Sequence, residues 1–314
     1  MKSSPDIVVL GAHGSGGNMV HIDHVPVPGE SIIAKDFRLF KDGGKGAHQA
    51  LVVGRLGGKS AFIGKLPNGP RSDAAKKWLV DDGVDVKYLL RAGEESPHAG
   101  LIMLDKEGVS TIVSIPGLRH TLTFEEAKPG IEEFRSARMF ITGFEIPVQT
   151  ALKGARLAKS LGMTTILNPA PISTEPLGVL DYIDIAIPNE AEARGMAGMD
   201  LRAKIAPREL AAAIREKCRV KTVIITLGGD GVYATDGEKS WQIDAMRVDA
   251  VNTTGAGDAF IGSFAWALIE GKDMSDALSY ANCAAGISVS REGTIDSFPT
   301  RSEIEAFMRA HRIK

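Results

Sequence analysis

The chain is short of several things. Its 314 residues hold only two cysteines, Cys218 and Cys283, both inside stretches that read as helical. A disulfide framework is therefore not expected, and a reducing, cytoplasmic setting is. No apolar run approaches the ~20 residues of a membrane span. The opening M-K-S-S-P-D-I-V-V-L-G carries one Lys and too brief an apolar run for a signal h-region. Charge of either sign is also scarce in excess: the net value is −2, which excludes the basic surface of a nucleic-acid or membrane-surface binder. Aromatics are only 6%, and neither an internal repeat nor a low-complexity tract is visible. Glycine, by contrast, is plentiful. Its 35 copies are about 11% of the chain against a usual ~7%, and they sit at the ends of apolar runs, where strand-to-helix turns belong.

Short β-rich runs alternate with helical patterns almost throughout. Candidate strands cover 7–11, 60–66, 139–144, 164–168, 183–188 and 222–227, mostly as continuous apolar runs. Such runs fit strands covered on both faces. Helical periodicity marks 48–56, 72–82, 147–161 and 207–218 between them. This rhythm predicts a doubly wound, mainly parallel central sheet with helices on both faces. Two stretches break it. Residues 19–40 carry two β-like segments around Pro26, Pro28 and Gly29, and 99–116 reads as a hairpin with its turn at D-K-E-G. These segments are expected to pair into a small second sheet, a lid over a site. After Asp258, residues 259–269 are apolar on nearly every side and predict a buried helix; Asp273 or Ser275 caps the next one.

Four glycine-rich spots invite a phosphate-cradle reading. Gly11-Ala-His-Gly-Ser-Gly-Gly follows the first strand but has Met19 where a dinucleotide fingerprint needs a small residue, and no helix follows it. Gly57-Gly58-Lys59-Ser60 mimics the end of a Walker A loop, yet Val53 replaces the leading glycine and a strand follows. It reads as a turn. Asp42-Gly43-Gly44-Lys45-Gly46-Ala47-His48-Gln49-Ala50 precedes a helix; it is either a ligand-approaching loop with Lys45 as counter-charge or a plain helix-capping turn. Thr254-Gly255-Ala256-Gly257-Asp258 opens the oily helix. Bare amides at a helix N-terminus suit a transferring phosphoryl group. An Asp in the first turn either complements the helix dipole or serves as the base that such a transfer requires.

G-G-K-G-A-H-Q-A near residue 45 and N-T-T-G-A-G-D-A-F near residue 255 together resemble the paired signatures of ribokinase-like (PfkB-type) carbohydrate kinases. P-V-P-G-E at 26–30, L-N-P-A-P at 167–171, P-N-E-A-E at 188–192 and I-I-T-L-G at 224–228 resemble further landmarks of that family, so the similarity runs from about 5 to 310. The resemblance implies one kinase domain over 1–314, with a lid formed by about 13–40 and 97–117. It also implies an ATP- and Mg²⁺-dependent phosphorylation of a primary hydroxyl on a small sugar. Asp258 matches the family's catalytic base, and the N–H groups of Gly255, Ala256 and Gly257 match its anion hole. Asn189 and Glu192 match an N-x-x-E element acting around the nucleotide phosphates and Mg²⁺ through water. Thr226, Gly228 and Gly231 match the nucleotide loop, and Asn282 the adenine side. Gly44, Lys45 and Glu145 match sugar-contacting positions, and lid pairing into a homodimer is implied as well.

Three positions depart from the family pattern. A lid Asp that grips sugar hydroxyls is replaced by Gly17, with Asn18 beside it as a neutral substitute. The usual Asn of G-G-K-G-A-N-Q is His48, which either retunes the acceptor site or packs at the helix start. Asn252 stands where an Asp helps hold a monovalent cation, which predicts weak or absent potassium activation, with carbonyls near Gly293 and the Ser297 hydroxyl remaining. His21-Ile-Asp-His24 is expected to be a polar lid strand and not a metal trio, because strand alternation sends His24 to the opposite face. A nucleoside kinase on the same fold, or a catalytically silent sugar-binding protein, are the alternatives; the intact G-A-G-D speaks against the second.

Overall fold

The computed structural model describes residues 4–93, 100–106, 110–114 and 121–313. In chain order these form β1 (Ile7–Leu10), β2 (Gly17–His21), β3 (Asp36–Phe40), α1 (Lys45–Arg55), β4 (Ser60–Leu66), α2 (Pro70–Asp81) and β5 (Asp85–Arg91). Then come β6 (Gly100–Leu104), β7 (Ser110–Ser114), α3 (Phe124–Glu133), β8 (Met139–Gly143), α4 (Val148–Ser160), β9 (Thr164–Asn168) and β10 (Ile185–Ala186). The remainder is α5 (Glu190–Ala197), α6 (Pro207–Cys218), β11 (Thr222–Thr226), β12 (Val232–Thr235), β13 (Ser240–Ile243), α7 (Ala256–Ile269), α8 (Met274–Val289) and α9 (Arg301–Ala310).

The large sheet runs β13-β12-β11-β10-β9-β8-β1-β4-β5, parallel except where β12 and β13 pair antiparallel at one edge. Its inner strands β1, β4, β8, β9, β10 and β11 are buried on both faces, which is why they read as unbroken apolar runs. In β1, Ile7 and Val9 join one core with α1, α2, α7, α8 and α9. Val8 and Leu10 join the other, with α3, α4, α5 and α6. The expected doubly wound sheet is thus the observed one. Chain order reverses at β1, flanked by β8 and β4. A crevice opens at such a switch point, beyond the carboxyl ends of the strands.

A separate sheet, β3-β2-β6-β7, pairs β2 antiparallel to β3 and parallel to β6, with β6 and β7 antiparallel. These are the four segments expected to form a lid. Residues 107 and 108 of the D-K-E-G turn, and 97–99 and 115–117 of the expected lid span, lie outside the described residues. Arg38 meets Glu292 at 3.6 Å and Lys41 meets Asp296 at 2.7 Å, tying β3 to the segment before α9.

Some boundaries differ from expectation. The 183–188 run keeps only two ladder residues, because Asn189 begins the cap of α5. Helix α1 starts at Lys45 and not at 48, taking the glycine motif into its first turn. The strand expected to run to His24 stops at His21; Asp23 then pairs with Lys35, and His24 Nε2 lies 2.8 Å from Glu30.

Candidate active site

Helix α7 is buried from Asp258 to Ala267 and lies between α1 and α8. Each large apolar side chain so buried contributes roughly 1.5–3 kcal/mol. Gly262 lets α1 approach closely, since a Cβ there would stand 2.8 Å from the Gln49 carbonyl oxygen and Val52 Cβ. That approach lays the first turn of α1 against the first turn of α7. At the α7 start, Gly255 occupies a left-handed φ of 85°, so the chain turns into the helix with no side-chain cap. The Ala256 N–H reaches the Thr253 carbonyl at a long 3.3 Å, whereas those of Gly255, Gly257 and Asp258 find no acceptor among the described residues. A Cβ on Gly257 would touch nothing within 4 Å. The helix therefore presents bare amides at its positive end.

Asp258 is 5% exposed. Gln49 Nε2 donates to its Oδ1 at 3.0 Å, and His48 Nδ1 lies 2.9 Å from its Oδ2. Lys45 N–H donates to Glu145 Oε2 at 2.7 Å, while the Lys45 ammonium has no hydrogen-bond acceptor among the described residues. Burial works against that ammonium, yet Asp258, Glu145, Glu192 and Asp42 together hold its pKa above the usual lysine value. A narrow cleft beside it is lined by Gly11, Ala12, Lys45, Gln49, Glu145 and Asn168. Gly11 and Ala12 follow β1, Glu145 follows β8 and Asn168 ends β9, so the cleft sits at the switch point of the sheet.

Asn189 and Glu192 are brought together as a capping box: Glu192 N–H donates to Asn189 Oδ1 at 2.9 Å, and Asn189 N–H to Glu192 Oε2 at 2.8 Å. Burial raises the Glu192 pKa; the Asn189 N–H and the Lys45 charge counter it, and Asp258 adds to it. Thr226 bridges Asn189 across the strand ends, and the turn through Gly228 to Gly231 follows on the same edge. Asn282 is buried, its Nδ2 donating to the Asp244 carbonyl at 2.7 Å. For a divalent cation, no three His, Cys, Asp or Glu converge among the described residues. The Glu192 carboxylate is a hard oxygen donor of the kind Mg²⁺ takes, and would suit an ion that keeps most of its water.

Two expected substrate contacts, Asn18 and His48, are not among the residues that line the cleft beside Lys45. Asn18 alternates with Met19 and His21, and those two face a cavity of about 500 Å³ between the small sheet and 250–254. Asn18 therefore stands on the opposite face, turned from the site. His48 is 3% exposed and its nitrogens engage Asp258 and, at 3.1 Å, Asp42. Its ring is thus part of the protein's own hydrogen-bond network. Asp42, Gln49 and Asn168 are site residues that the sequence motifs alone do not single out, although Asp42 and Gln49 lie in the same glycine motif and Asn168 in L-N-P-A-P.

Bare amides at a helix start and a first-turn carboxylate, set at the switch point of a doubly wound sheet, are parts of the kind that phosphoryl transfer uses. The chain belongs to the pfkB family of carbohydrate kinases, whose model matches residues 18–301. It is 30% identical over 303 residues to the ribokinase of Staphylococcus aureus, covering 95% of this chain and 98% of that one. Among solved structures, the Arabidopsis thaliana ribokinase complexed with ribose and ATP superposes with a TM-score of 0.86 at 29% identity, over 98% of this chain and 99% of that one. The Thermotoga maritima ribokinase gives 0.85 at 30%, over 97% and 99%.

Proposed function

We propose that this chain transfers the γ-phosphoryl group of ATP to a primary hydroxyl of a small sugar, as one kinase domain with the small sheet as its lid. The observation that carries the reading is Asp258, held by two donors from α1 in the same helical turn as the bare amides of Gly255 and Gly257. The hydroxyl enters the cleft beside Lys45, Gly44 and Glu145, where the Lys45 ammonium and the Glu145 carboxylate orient it. Asp258 takes the hydroxyl proton as the oxygen attacks the phosphorus in line. The α7 amides, with Ala256 the weakest donor of the set, hold the charge that develops on the transferred group. Thr226, Gly228, Gly231 and Asn282 line the nucleotide side. Glu192, oriented by Asn189, would hold Mg²⁺, and the ion would supply charge neutralisation of the phosphates when bound.

Complexes of the plant relative with ribose and ATP support this substrate pair. Two buried, unpaired cysteines support a cytoplasmic home, and no helix among the described residues is long and apolar enough to cross a membrane. Met19, Ile102 and Leu104 give the 500 Å³ cavity an apolar wall that would also suit a nucleobase. The test is ADP release measured across a panel of pentoses, hexoses and nucleosides. Turnover highest with a sugar is expected. Turnover confined to nucleosides would move the acceptor class, and none with any acceptor would overturn the kinase reading.

A further inference from the structure

Position 48 is where the first turn of α1 meets the first turn of α7. Its imidazole bridges two carboxylates: Nδ1 lies 2.9 Å from Asp258 Oδ2, and Nε2 lies 3.1 Å from Asp42 Oδ1. The ring edge packs on Phe298 with centroids 5.5 Å apart. The Gly43 N–H also points at Nε2, from 2.9 Å. These two contacts require opposite protonation of the same atom. A full negative charge on Asp42 outweighs one amide dipole, so Nε2 carries a proton and the ring is an imidazolium.

We propose that His48 is the positioning residue of Asp258, its imidazolium fixing the carboxylate and coupling that carboxylate to the Asp42–Gly44 turn that presents Lys45. This rests on the reading of Asp258 as the base. The geometry says why a cation is useful there. Gln49 and His48 occupy one lone-pair site on each Asp258 oxygen, so the carboxylate cannot rotate and its remaining sites face one way. The charges on the ring are Asp42 from the turn and Asp258 on α7; the neighbouring Lys45 ammonium on α1 feels the same two together with Glu145 after β8 and Glu192 on α5. His13, after β1, adds no charge at neutral pH, because burial pushes its pKa down to about 4 against the pull of the Ala75 and Gly43 carbonyls. Four carboxylates thus face one ammonium and one imidazolium. Without the imidazolium the cluster becomes more negative where an anionic phosphate must arrive.

Burial disfavours the His48 charge, but Asp258 and Asp42 outweigh it and raise the pKa to about 9. The charge is present at neutral pH and lost as pH rises through that value. On losing the proton, Nε2 accepts the Gly43 N–H already aimed at it, while Nδ1–H stays on Asp258. Orientation survives and the charge does not.

Three measurements test this together. First, His48→Asn and His48→Leu are compared with wild type for kcat, KM and their pH profiles, with folding checked by thermal melting. A 10- to 100-fold fall in kcat with little change in KM is expected, larger for Leu than for Asn. The alkaline limb disappears, because the group that loses its charge there is gone. Second, ¹⁵N-imidazole NMR of the ligand-free protein follows His48 directly, assigned by its loss in His48→Asn. Its midpoint is expected well above 6.5 and lower in Asp258→Asn. Third, Asp258→Asn turnover is measured in parallel. Unchanged pH limbs in folded His48→Asn, or an ordinary histidine midpoint indifferent to Asp258→Asn, would overturn the inference. Wild-type turnover in Asp258→Asn would remove the base reading instead, while the NMR midpoint still reports the coupling.

Discussion

His48 and Asp258 stand 210 residues apart in sequence, yet Nδ1 and Oδ2 meet at 2.9 Å in the interior. The pair joins the glycine motif of α1 to that of α7, so two segments that look like separate phosphate loops form one device. One contributes the amides and the carboxylate, and the other contributes the donors that aim the carboxylate and the lysine beside it.

The bare surface at Gly257 can be separated from its stability. A Cβ there meets nothing, so Gly257→Ala should leave thermal stability unchanged or raise it by up to about 1 kcal/mol through helix propensity. It would also crowd the approach of a phosphate, and kcat/KM for ATP is expected to fall at least tenfold. Thermal melting and steady-state kinetics on the same preparation check both halves.

Potassium is expected to have little effect. Asn252 Nδ2 donates to the Gly293 carbonyl at 3.2 Å, and its Oδ1 accepts the Thr254 N–H at 2.9 Å, so the amide occupies the carbonyl that a cation would use. Ser297 Oγ is likewise engaged, donating to the Thr294 carbonyl. ADP release in potassium chloride and in a large organic cation, at equal ionic strength, should differ less than twofold. Asn252→Asp should make the rate more cation-dependent.

Two histidines should shape stability against pH in opposite windows. The folded pKa of His13 is lowered to about 4, so its contribution is complete above 6.5 and is lost as pH falls towards 4. For His48 the folded value is raised to about 9, so its contribution is complete below 6.5 and is lost as pH rises towards 9. Each is worth on the order of 3 kcal/mol at most. Urea midpoints measured from pH 4 to 9.5 should fall at both ends. His13→Gln should flatten only the acid side, and His48→Asn only the alkaline side.

The outer face of the small sheet exposes Phe37, Leu39 and Val113 together. Such a patch on a sheet invites a second copy, and a homodimer through this face is expected. Phe37→Asp combined with Leu39→Asp should halve the mass seen by sedimentation. An unchanged mass would place any dimer elsewhere.

Much of the fold is legible in the residue pattern. Continuous apolar runs mark a sheet covered on both sides, and the two helix-free stretches form the second sheet. The misses have physical reasons. β5 is an edge strand with a mixed burial pattern, where hydrophobic periodicity is weak, and α3 carries Pro129 and Gly130 within its span, a pair that reads as a break. Asn189 and Glu192, read as a phosphate element, also have the spacing of a capping box and form one, which fixes the Glu192 carboxylate. The facing of Asn18 hinges on strand register, which a one-residue slip reverses. His48 cannot be placed at all without the α1–α7 contact, because its partner lies in the other half of the chain.

The most direct measurement is the rate of ADP formation by Asp258→Asn with the best sugar acceptor, alongside thermal shifts for ATP and sugar. Loss of the base while the amides, Lys45 and Glu145 remain should lower kcat about 10²- to 10⁴-fold and leave both ligand shifts in place. A folded Asp258→Asn protein turning over within tenfold of wild type would show that the carboxylate takes no proton in the transfer.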